Sequence, residues 1–272
     1  MLSTVIRANI EVHTRMAASY DRLEPHFRPE NRGKVRRVLE GLARRCGRER
    51  LLDLGCGTGF IVTLACDLFR EVHGLDVTQA MLDRVDTSSG NITLHCQNAE
   101  ELPFENDTFN LVTAYSFLHH LEDYRPVLAE AYRVLKPGGI FYVDLEPNRL
   151  FWSEMAGVSA RADLPPMVAK ACDSVLRTDA KVEEGFGIPR ATFQQAEYGK
   201  SILGGIDASQ AAEAARETGF QSVAVSYEWF LGQAEVMHGK SFEEAAKVES
   251  YLRAIAPLSD RLFKYVQLQF MK

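Results

Sequence analysis

Short apolar runs alternate with helical patterns through the central part of the chain. Apolar positions with a period of 3.6 residues separate these runs, as in helices that pack on a sheet. Strands are predicted at 51–54, 72–76, 91–96, 109–115 and 140–144. Alternation of this kind predicts a parallel, doubly wound α/β sheet. Two later runs, 223–229 and 263–270, predict a sixth strand and a closing strand.

The first predicted strand runs into a glycine-rich turn, Gly55-Cys56-Gly57-Thr58-Gly59. Glycine accepts positive φ and lets a ligand approach the backbone closely, and the helix predicted from Phe60 to Leu68 would aim its N–H groups at that ligand. The second strand ends in Asp76, where a carboxylate can accept bonds from both hydroxyls of a ribose. These features predict a nucleoside-cofactor site.

A dinucleotide site is the nearest alternative, but its fingerprint is G-x-G-x-x-G. Here the third glycine comes one residue early, Phe60 takes the sixth position, and Asp53 precedes the first glycine by two residues. The pattern Asp53-x-Gly55-x-Gly57-x-Gly59 resembles the signature of class I S-adenosylmethionine (SAM)-dependent methyltransferases instead. The resemblance extends over roughly residues 15–146 and includes Val-Leu-Lys-Pro-Gly-Gly at 134–139.

The resemblance implies a Rossmann-like sheet of seven strands, mostly parallel with an antiparallel last strand, and a helical lid insertion. The implied cofactor is SAM, with S-adenosylhomocysteine (SAH) as its product. The segments that correspond to cofactor contacts in the family contain Tyr20, Asp53, Gly55, Cys56, Gly57, Gly59, Asp76, Val77, Met81, Asn98, Ala99, Glu100, Tyr115 and Ser116.

Some of these positions have a specific role in the family. A tyrosine such as Tyr20 covers the cofactor as part of a lid, although packing of a helix on the core would also explain it. Asp76 would bind the ribose, and an apolar residue near Met81 would pack on the adenine. Asn98 stands where the family commonly has an acid that binds the adenine amino group. An amide oxygen also accepts from an amine, but without charge the bond is weaker.

Methyl transfer to a hydroxyl requires a base, and the resemblance makes His119, after the fourth strand, the first candidate. Glu146, after the fifth strand, is the second. O-methylation is placed ahead of C- or N-methylation of a quinone-like or other metabolite. A SAM-binding interaction or regulatory protein without catalysis is the alternative from another class.

The composition limits the classes of binding partner and the cellular environments that we expect for this chain. The net charge of −6 disfavours nucleic acid as a partner, and no metal-ligand spacing such as H-E-x-x-H occurs. Five cysteines without C-x-x-C spacing are typical of free thiols in a reducing compartment. No run approaches the roughly 20 apolar residues of a membrane span. We therefore expect a cytoplasmic enzyme with a small-molecule acceptor.

The nature of that acceptor, apolar or anionic, and a homodimeric state are left open. An anionic acceptor is considered because residues 28–50 carry nine basic and only three acidic side chains.

Four segments are expected along the chain. Residues 1–50 form an N-terminal cap, within which 3–23 is predicted as a helical lead-in, and residues 51–146 form the SAM-binding core. Residues 147–207 lack the strand–helix alternation and are too long for an ordinary loop, so they are predicted as a lid that shapes the substrate pocket. Residues 208–272 complete the core.

Overall fold

The computed structural model describes residues 2–176 and 178–272. Met1 and Arg177, which fall in the predicted cap and the predicted lid, lie outside the described residues. The strands are Arg50–Leu54 (β1), Glu71–Asp76 (β2), Ile92–Cys96 (β3), Phe109–Tyr115 (β4), Leu135–Pro147 (β5), Ser222–Phe230 (β6) and Phe263–Met271 (β7).

The seven strands form one sheet in the order β3-β2-β1-β4-β5-β7-β6. The first five strands pair in parallel, whereas β7 is antiparallel to both β5 and β6. This confirms the predicted fold class, including the antiparallel last strand. The strand order reverses between β1 and β4, and such a reversal opens a crevice at the carboxyl ends of the strands.

The helices pack on the two faces of this sheet or on one another. They are Thr4–Met16 (α1), Tyr20–Leu23 (α2), Pro29–Cys46 (α3), Phe60–Ala65 (α4), Gln79–Leu82 (α5), Arg125–Val134 (α6), Arg149–Ser159 (α7), Pro166–Leu176 (α8), Thr178–Phe186 (α9), Arg190–Ala196 (α10), Tyr198–Ser201 (α11), Ala208–Thr218 (α12), Gln233–Gly239 (α13) and Phe242–Ala254 (α14). Short 3₁₀ turns occupy Pro25–Phe27, Leu118–His120 and Asp260–Leu262. Within the described residues, none of the helices combines the length and apolarity needed to cross a bilayer.

The pleat of the central strands divides the core into two apolar layers, because successive side chains point to opposite faces. Leu51 packs with α3 and α4, whereas its neighbour Leu52 packs with α6 and α12. Both leucines are fully buried. Because both faces of the strands are buried, their sequences are mostly apolar. The same burial fixes the position of the strand ends that form the crevice.

The N-terminal segment differs from the prediction of a single helical lead-in over 3–23. Helix α1 ends at Met16, and the chain turns before α2 begins at Tyr20. Val12 and Met16 pack against Ile188 and Phe193 of the inserted region rather than against the sheet. The turn after α1 redirects the chain so that Tyr20 lines the cavity at the crevice.

Strand β5 begins earlier than predicted, at Leu135 instead of 140. The turn at 136–139 does not separate helix from strand, because Gly138 takes a φ of 77° and its N–H donates to the carbonyl of Lys272. Leu135 pairs with Phe109 of β4, and Lys272, directly after β7, bonds to Gly138 and Gly139, so β5 includes the predicted turn.

Candidate active site

A cavity lies at the carboxyl ends of β1, β2 and β4. Of the fourteen residues predicted to contact the cofactor, Gly59 and Glu100 do not line it. The remaining twelve line this one cavity: Tyr20, Asp53, Gly55, Cys56, Gly57, Asp76, Val77, Met81, Asn98, Ala99, Tyr115 and Ser116. The fold thus brings together residues separated by almost 100 positions in the sequence.

Asp76 organises the glycine loop from the neighbouring strand. Its Oδ2 accepts from the N–H of Gly57 at 3.0 Å, and its Oδ1 accepts from the N–H of Thr78 at 2.8 Å. A carboxylate has about four acceptor sites, so capacity remains for two hydroxyl groups. Gly57 has a φ of 54°, and a Cβ there would lie 3.5 Å from Met81 Cε. This donor and acceptor set fits an adenosyl ligand whose ribose meets Asp76.

Asp53 is enclosed where β1 ends. Its Oδ1 accepts from Thr113 Oγ1 at 2.6 Å, and it is only 2% exposed. Burial raises the pKa of Asp53 to about 8 against the opposing effect of the Thr113 bond, and the charge of Asp76 adds to the rise. A buried carboxyl group that lacks a cation among its described hydrogen-bond partners is suited to face the positively charged end of an aminoacyl ligand.

Asn98 is held in place by Glu100. The N–H of Glu100 donates to Asn98 Oδ1 at 3.2 Å, and Asn98 Nδ2 donates to Glu100 Oε2 at 3.1 Å. Glu100 therefore stays off the cavity wall but orients a residue on it. The Oδ1 of Asn98 retains a second lone pair with which it can accept from a ligand amine.

His119 lies between two carboxylates beside the cavity rather than on its wall. Its Nδ1–H donates to Glu146 Oε2 at 2.8 Å, and its Nε2 lies 3.7 Å from Glu197 Oε1. Burial alone would lower the pKa of His119, but the charges of Glu146 and Glu197 outweigh it and raise the pKa to about 9. The ring is protonated at neutral pH, so it does not have the lone pair that a general base requires.

Glu146 has a positioning role in this geometry. Besides His119 Nδ1–H, its carboxylate accepts the backbone N–H groups of Phe117, Leu118 and His119 at 2.7–3.0 Å. The side chain is completely buried and does not line the cavity. It fixes the 3₁₀ turn Leu118–His120, and both sequence candidates for catalysis therefore support this turn.

His120 lines the cavity in place of its neighbour. Its Nδ1 lies 2.8 Å from the carbonyl oxygen of Ala196, so Nδ1 carries the proton and Nε2 keeps a lone pair. Burial, and then the charge of His119, lower the pKa of His120 to about 3. His119, His120 and Glu197 place one potential metal ligand each within 4.8 Å, but the His120 Nδ1–H bond and the Glu146–His119 pair already join these groups to the protein.

The N-terminal segment supplies cavity residues that sequence reasoning missed. Ile6, Asn9 and His13 of α1 line the cavity, as do His26 and Phe27. Asn9 Nδ2 donates to the carbonyl of His120 at 3.2 Å. Ile6, Asn9 and His13 recur at helical spacing, which is a signal for a shared face, but the sequence does not say what that face covers.

The protein family and the curated proteins that this chain resembles are all methyltransferases. A family model described as a methyltransferase domain matches residues 52–143. A probable S-adenosylmethionine-dependent methyltransferase of Mycolicibacterium smegmatis is 34% identical over 116 residues, which cover 43% of this chain and 45% of that protein. A demethylmenaquinone methyltransferase of Listeria welshimeri is 33% identical over 165 residues, which cover 57% of this chain and 70% of that protein. The match thus spans less than half of the mycobacterial relative.

Solved structures share the fold over most of the chain. A phosphoethanolamine N-methyltransferase of Haemonchus contortus matches with a TM-score of 0.60 and 16% identity, covering 100% of this chain and 60% of that one. A SAM-dependent methyltransferase of Mesorhizobium loti matches with a TM-score of 0.54 and 20% identity, covering 87% and 96%. At these identities the similarity describes the fold alone.

Proposed function

Because this chain belongs to the class I SAM-dependent methyltransferases, we propose that it methylates a small organic acceptor held in the cavity that α1 lines. The enzyme uses SAM and releases SAH. Transfer to a hydroxyl oxygen is the first candidate reaction. The observation that supports it is a neutral histidine, His120, on the cavity wall with one ring nitrogen committed to a backbone carbonyl.

Bound SAM supplies a methyl group on a sulfonium together with its leaving group. The protein has to hold the acceptor oxygen about 3 Å from that carbon and exclude water, and such orientation can supply roughly 7–11 kcal/mol. Helix α1 and Tyr20 cover the cavity from the N-terminal side. We infer that this cover, together with α10, excludes water during transfer.

His120 Nε2 would accept a hydrogen bond from the acceptor hydroxyl and so aim an oxygen lone pair at the methyl carbon. When the new C–O bond forms, the oxygen carries three bonds and becomes strongly acidic. Its proton then passes to Nε2 even though the pKa of His120 is low. In this proposal His119 and Glu146 position the turn that carries His120.

The inserted region would complete this arrangement. Ala196 of α10 provides the carbonyl that fixes the His120 ring, and Glu197 reaches both histidines at 3.7 Å. We propose that residues 147–207 act as the lid that shapes the acceptor site, that residues 1–50 act as the cap, and that 51–146 and 208–272 form the core.

C-methylation of a hydroquinone ring is the second candidate. The Listeria relative is named a demethylmenaquinone methyltransferase and aligns over 70% of its length. A ring carbon next to a phenolic hydroxyl is nucleophilic, and His120 would bind that hydroxyl in the same way.

Methyl-labelled SAM, incubated with aliphatic alcohols, phenols, amines and naphthohydroquinones, tests the proposal. Release of SAH identifies acceptors, and NMR of the product separates O-methyl from C-methyl groups. We expect His120→Gln to lower turnover of a hydroxyl acceptor by about 100-fold, within the usual range for a proton-transfer group. His95→Gln, on β3 and away from the cavity, is the matched control. Methylation of amines alone, or unchanged turnover in His120→Gln, would contradict it.

A further inference from the structure

Two histidine rings meet on the wall of the cavity. His13 of α1 and His120 of the 3₁₀ turn after β4 both line it. Their ring centroids are 5.1 Å apart, and their planes are nearly perpendicular at 84°. Neither histidine belongs to the residues predicted as cofactor contacts. Because the rings are so close, one small molecule in the cavity can reach both.

Both rings offer the same kind of nitrogen to a ligand. The Nδ1 of His13 lies 2.9 Å from the carbonyl oxygen of Asn9. The Nδ1 of His120 bonds to the carbonyl of Ala196 in the same way. A carbonyl oxygen only accepts, so Nδ1 carries the proton in each neutral ring and Nε2 is an acceptor. Neither Nε2 has a hydrogen-bond partner among the described residues, and neither is a buried atom. Both acceptors are therefore open to a ligand.

Asn9 makes this part of the wall poor in donors. Its Nδ2 donates to the carbonyl of Val5 at 3.0 Å and to that of His120 at 3.2 Å, which uses both of its N–H groups. Its Oδ1 has no partner within the described part of the chain and is not buried, so it is a further acceptor. The bond to His120 also holds α1 against the turn. A ligand here has to bring donors, whereas a carboxylate or phosphate would meet lone pairs.

A pair of hydroxyl groups supplies such donors. In the mechanism proposed above, His120 Nε2 binds the hydroxyl that is methylated. A second hydroxyl on the neighbouring carbon places another O–H donor beside the first, and each bond to a ring nitrogen would span about 2.8 Å. Two rings in contact can accept from both hydroxyls at once. Hydroxyl groups are neutral, so this pairing does not bury a charge.

We propose that His13 and His120 form an acceptor subsite for a molecule with two hydroxyl groups on neighbouring carbons. His120 binds the hydroxyl that receives the methyl group, and His13 is the specificity-determining residue that binds the second hydroxyl. The inference rests on the methyltransferase function proposed above and names the class of acceptor that this site takes.

Binding of three probes tests the subsite. Calorimetry measures the affinity of catechol, guaiacol and phenol for the SAH-saturated protein. Guaiacol has a methoxy group in place of the second hydroxyl of catechol, so it fills similar space with one donor fewer. We expect wild type to bind catechol about fivefold or more tightly than guaiacol or phenol, which is the effect of one net hydrogen bond. This comparison between ligands does not depend on any variant.

His13→Phe tests the role of the nitrogen, because phenylalanine keeps an aromatic ring beside His120 and removes the acceptor. We expect catechol to bind this variant no more than about twofold more tightly than phenol, while the affinity for phenol stays within about twofold of wild type. Arg15→Gln is the matched control. Arg15 lies on the same helix and donates to the carbonyl of Gly187, but it does not line the cavity. This variant loosens the cover without changing the wall, so the preference for catechol should remain.

Three results would overturn the inference. Equal affinities of wild type for catechol, guaiacol and phenol exclude a site for a second hydroxyl. Equal losses for catechol and phenol in His13→Phe mean that the ring only packs. A folded His13→Phe variant that loses SAH instead places His13 in the cofactor site. Failure of the proposed function is a different result: wild type would not bind SAH, or His120→Gln would turn over hydroxyl acceptors at an unchanged rate.

Discussion

Thr58 of the glycine loop donates a hydrogen bond from Oγ1 to Asp21 Oδ1 at 2.5 Å. Asp21 belongs to α2, next to Tyr20, and Thr58 is 6% exposed at the cavity wall. The bond fastens the N-terminal cover directly to the loop that would hold the cofactor. The hydrogen bond therefore couples the N-terminal cover to the glycine loop, so a displacement of one is expected to displace the other.

A double-mutant cycle measures this coupling. Thr58→Val and Asp21→Ala each remove one partner, so each should lower the free energy of unfolding by about 1 kcal/mol. The double variant should lose little more than either single variant, because the same bond is lost. Urea denaturation gives the three values. Losses that simply add would show that the two residues act independently.

Asp76 is expected to determine the affinity for the cofactor product. In Asp76→Asn the side chain loses its charge and one of the acceptor groups that bind Gly57, Thr78 and a ribose. SAH binding should weaken by about 1.5–3 kcal/mol, which is typical of hydrogen bonds to a charged group. Isothermal titration calorimetry measures the change.

Asp83→Ala is the control for Asp76→Asn. Asp83 is an exposed acid at the end of α5 that does not line the cavity. Its removal should leave SAH affinity unchanged. Equal affinities in wild type and in a folded Asp76→Asn variant would remove the ribose assignment.

Gly55 is required for packing as well as for its backbone angle. It has a φ of 66°, and a Cβ at this position would lie 2.2 Å from Cδ2 of Phe117. Gly90 also has a positive φ, 78°, but nothing lies within 4 Å of its Cβ position. Gly90→Ala should therefore cost only the backbone strain, about 1 kcal/mol, whereas Gly55→Ala should cost at least about 2 kcal/mol more from overpacking.

Adding Phe117→Ala to Gly55→Ala tests the cause of that cost. Removal of the ring should restore part of the stability that Gly55→Ala loses, as measured by thermal unfolding. If the two glycine variants are equally stable, Phe117 moves aside freely and the close approach is not what selects glycine.

Local patterns were sufficient to predict the sheet. Strand β4 was predicted with its observed bounds, because Phe109–Tyr115 is a mainly apolar run between polar turns. Thr78, a residue type that favours helix N-caps, occupies the N-cap of α5, but its side chain makes no cap bond. Asp76 accepts the N–H of Thr78 instead. The residue type indicates the cap position. The group that accepts the N–H of Thr78, however, depends on where the folded chain places the end of β2.

The cover and the histidine network could not be predicted in the same way. Glu197 approaches His119 from 78 positions further along the chain, and Arg15 donates to the carbonyl of Gly187. Neither segment has a hydrophobic periodicity from which its contact partner could be predicted. The sequence singled out His119 from its place after β4, but only the packing shows that His119 is held by carboxylates while His120 lies on the cavity wall.

The His119 network should give the protein a pH-dependent stability. His119 lies between Glu146 of β5 and Glu197 of the inserted region, with His120, Glu24 and Lys200 close enough to influence these charges. The pKa of His119 is raised from 6.5 to about 9 in the folded protein. Because the folded protein holds this proton more tightly, the stabilisation is complete below about pH 6.5 and is lost as the pH rises through about 9.

The difference in unfolding free energy between wild type and His119→Gln reports the charge of His119 together with its effect on Glu24 and Glu197. It should shrink by about 3 kcal/mol between pH 6.5 and 9, as followed by urea denaturation. Asp53, whose pKa is also raised, titrates in both proteins, so its contribution to the unfolding free energy cancels in the difference. Glu197→Gln removes one of the two carboxylates, so its stability should fall less steeply over the same range. A constant difference between wild type and His119→Gln would mean that His119 is uncharged in the folded protein, and it would then regain the lone pair needed by a general base.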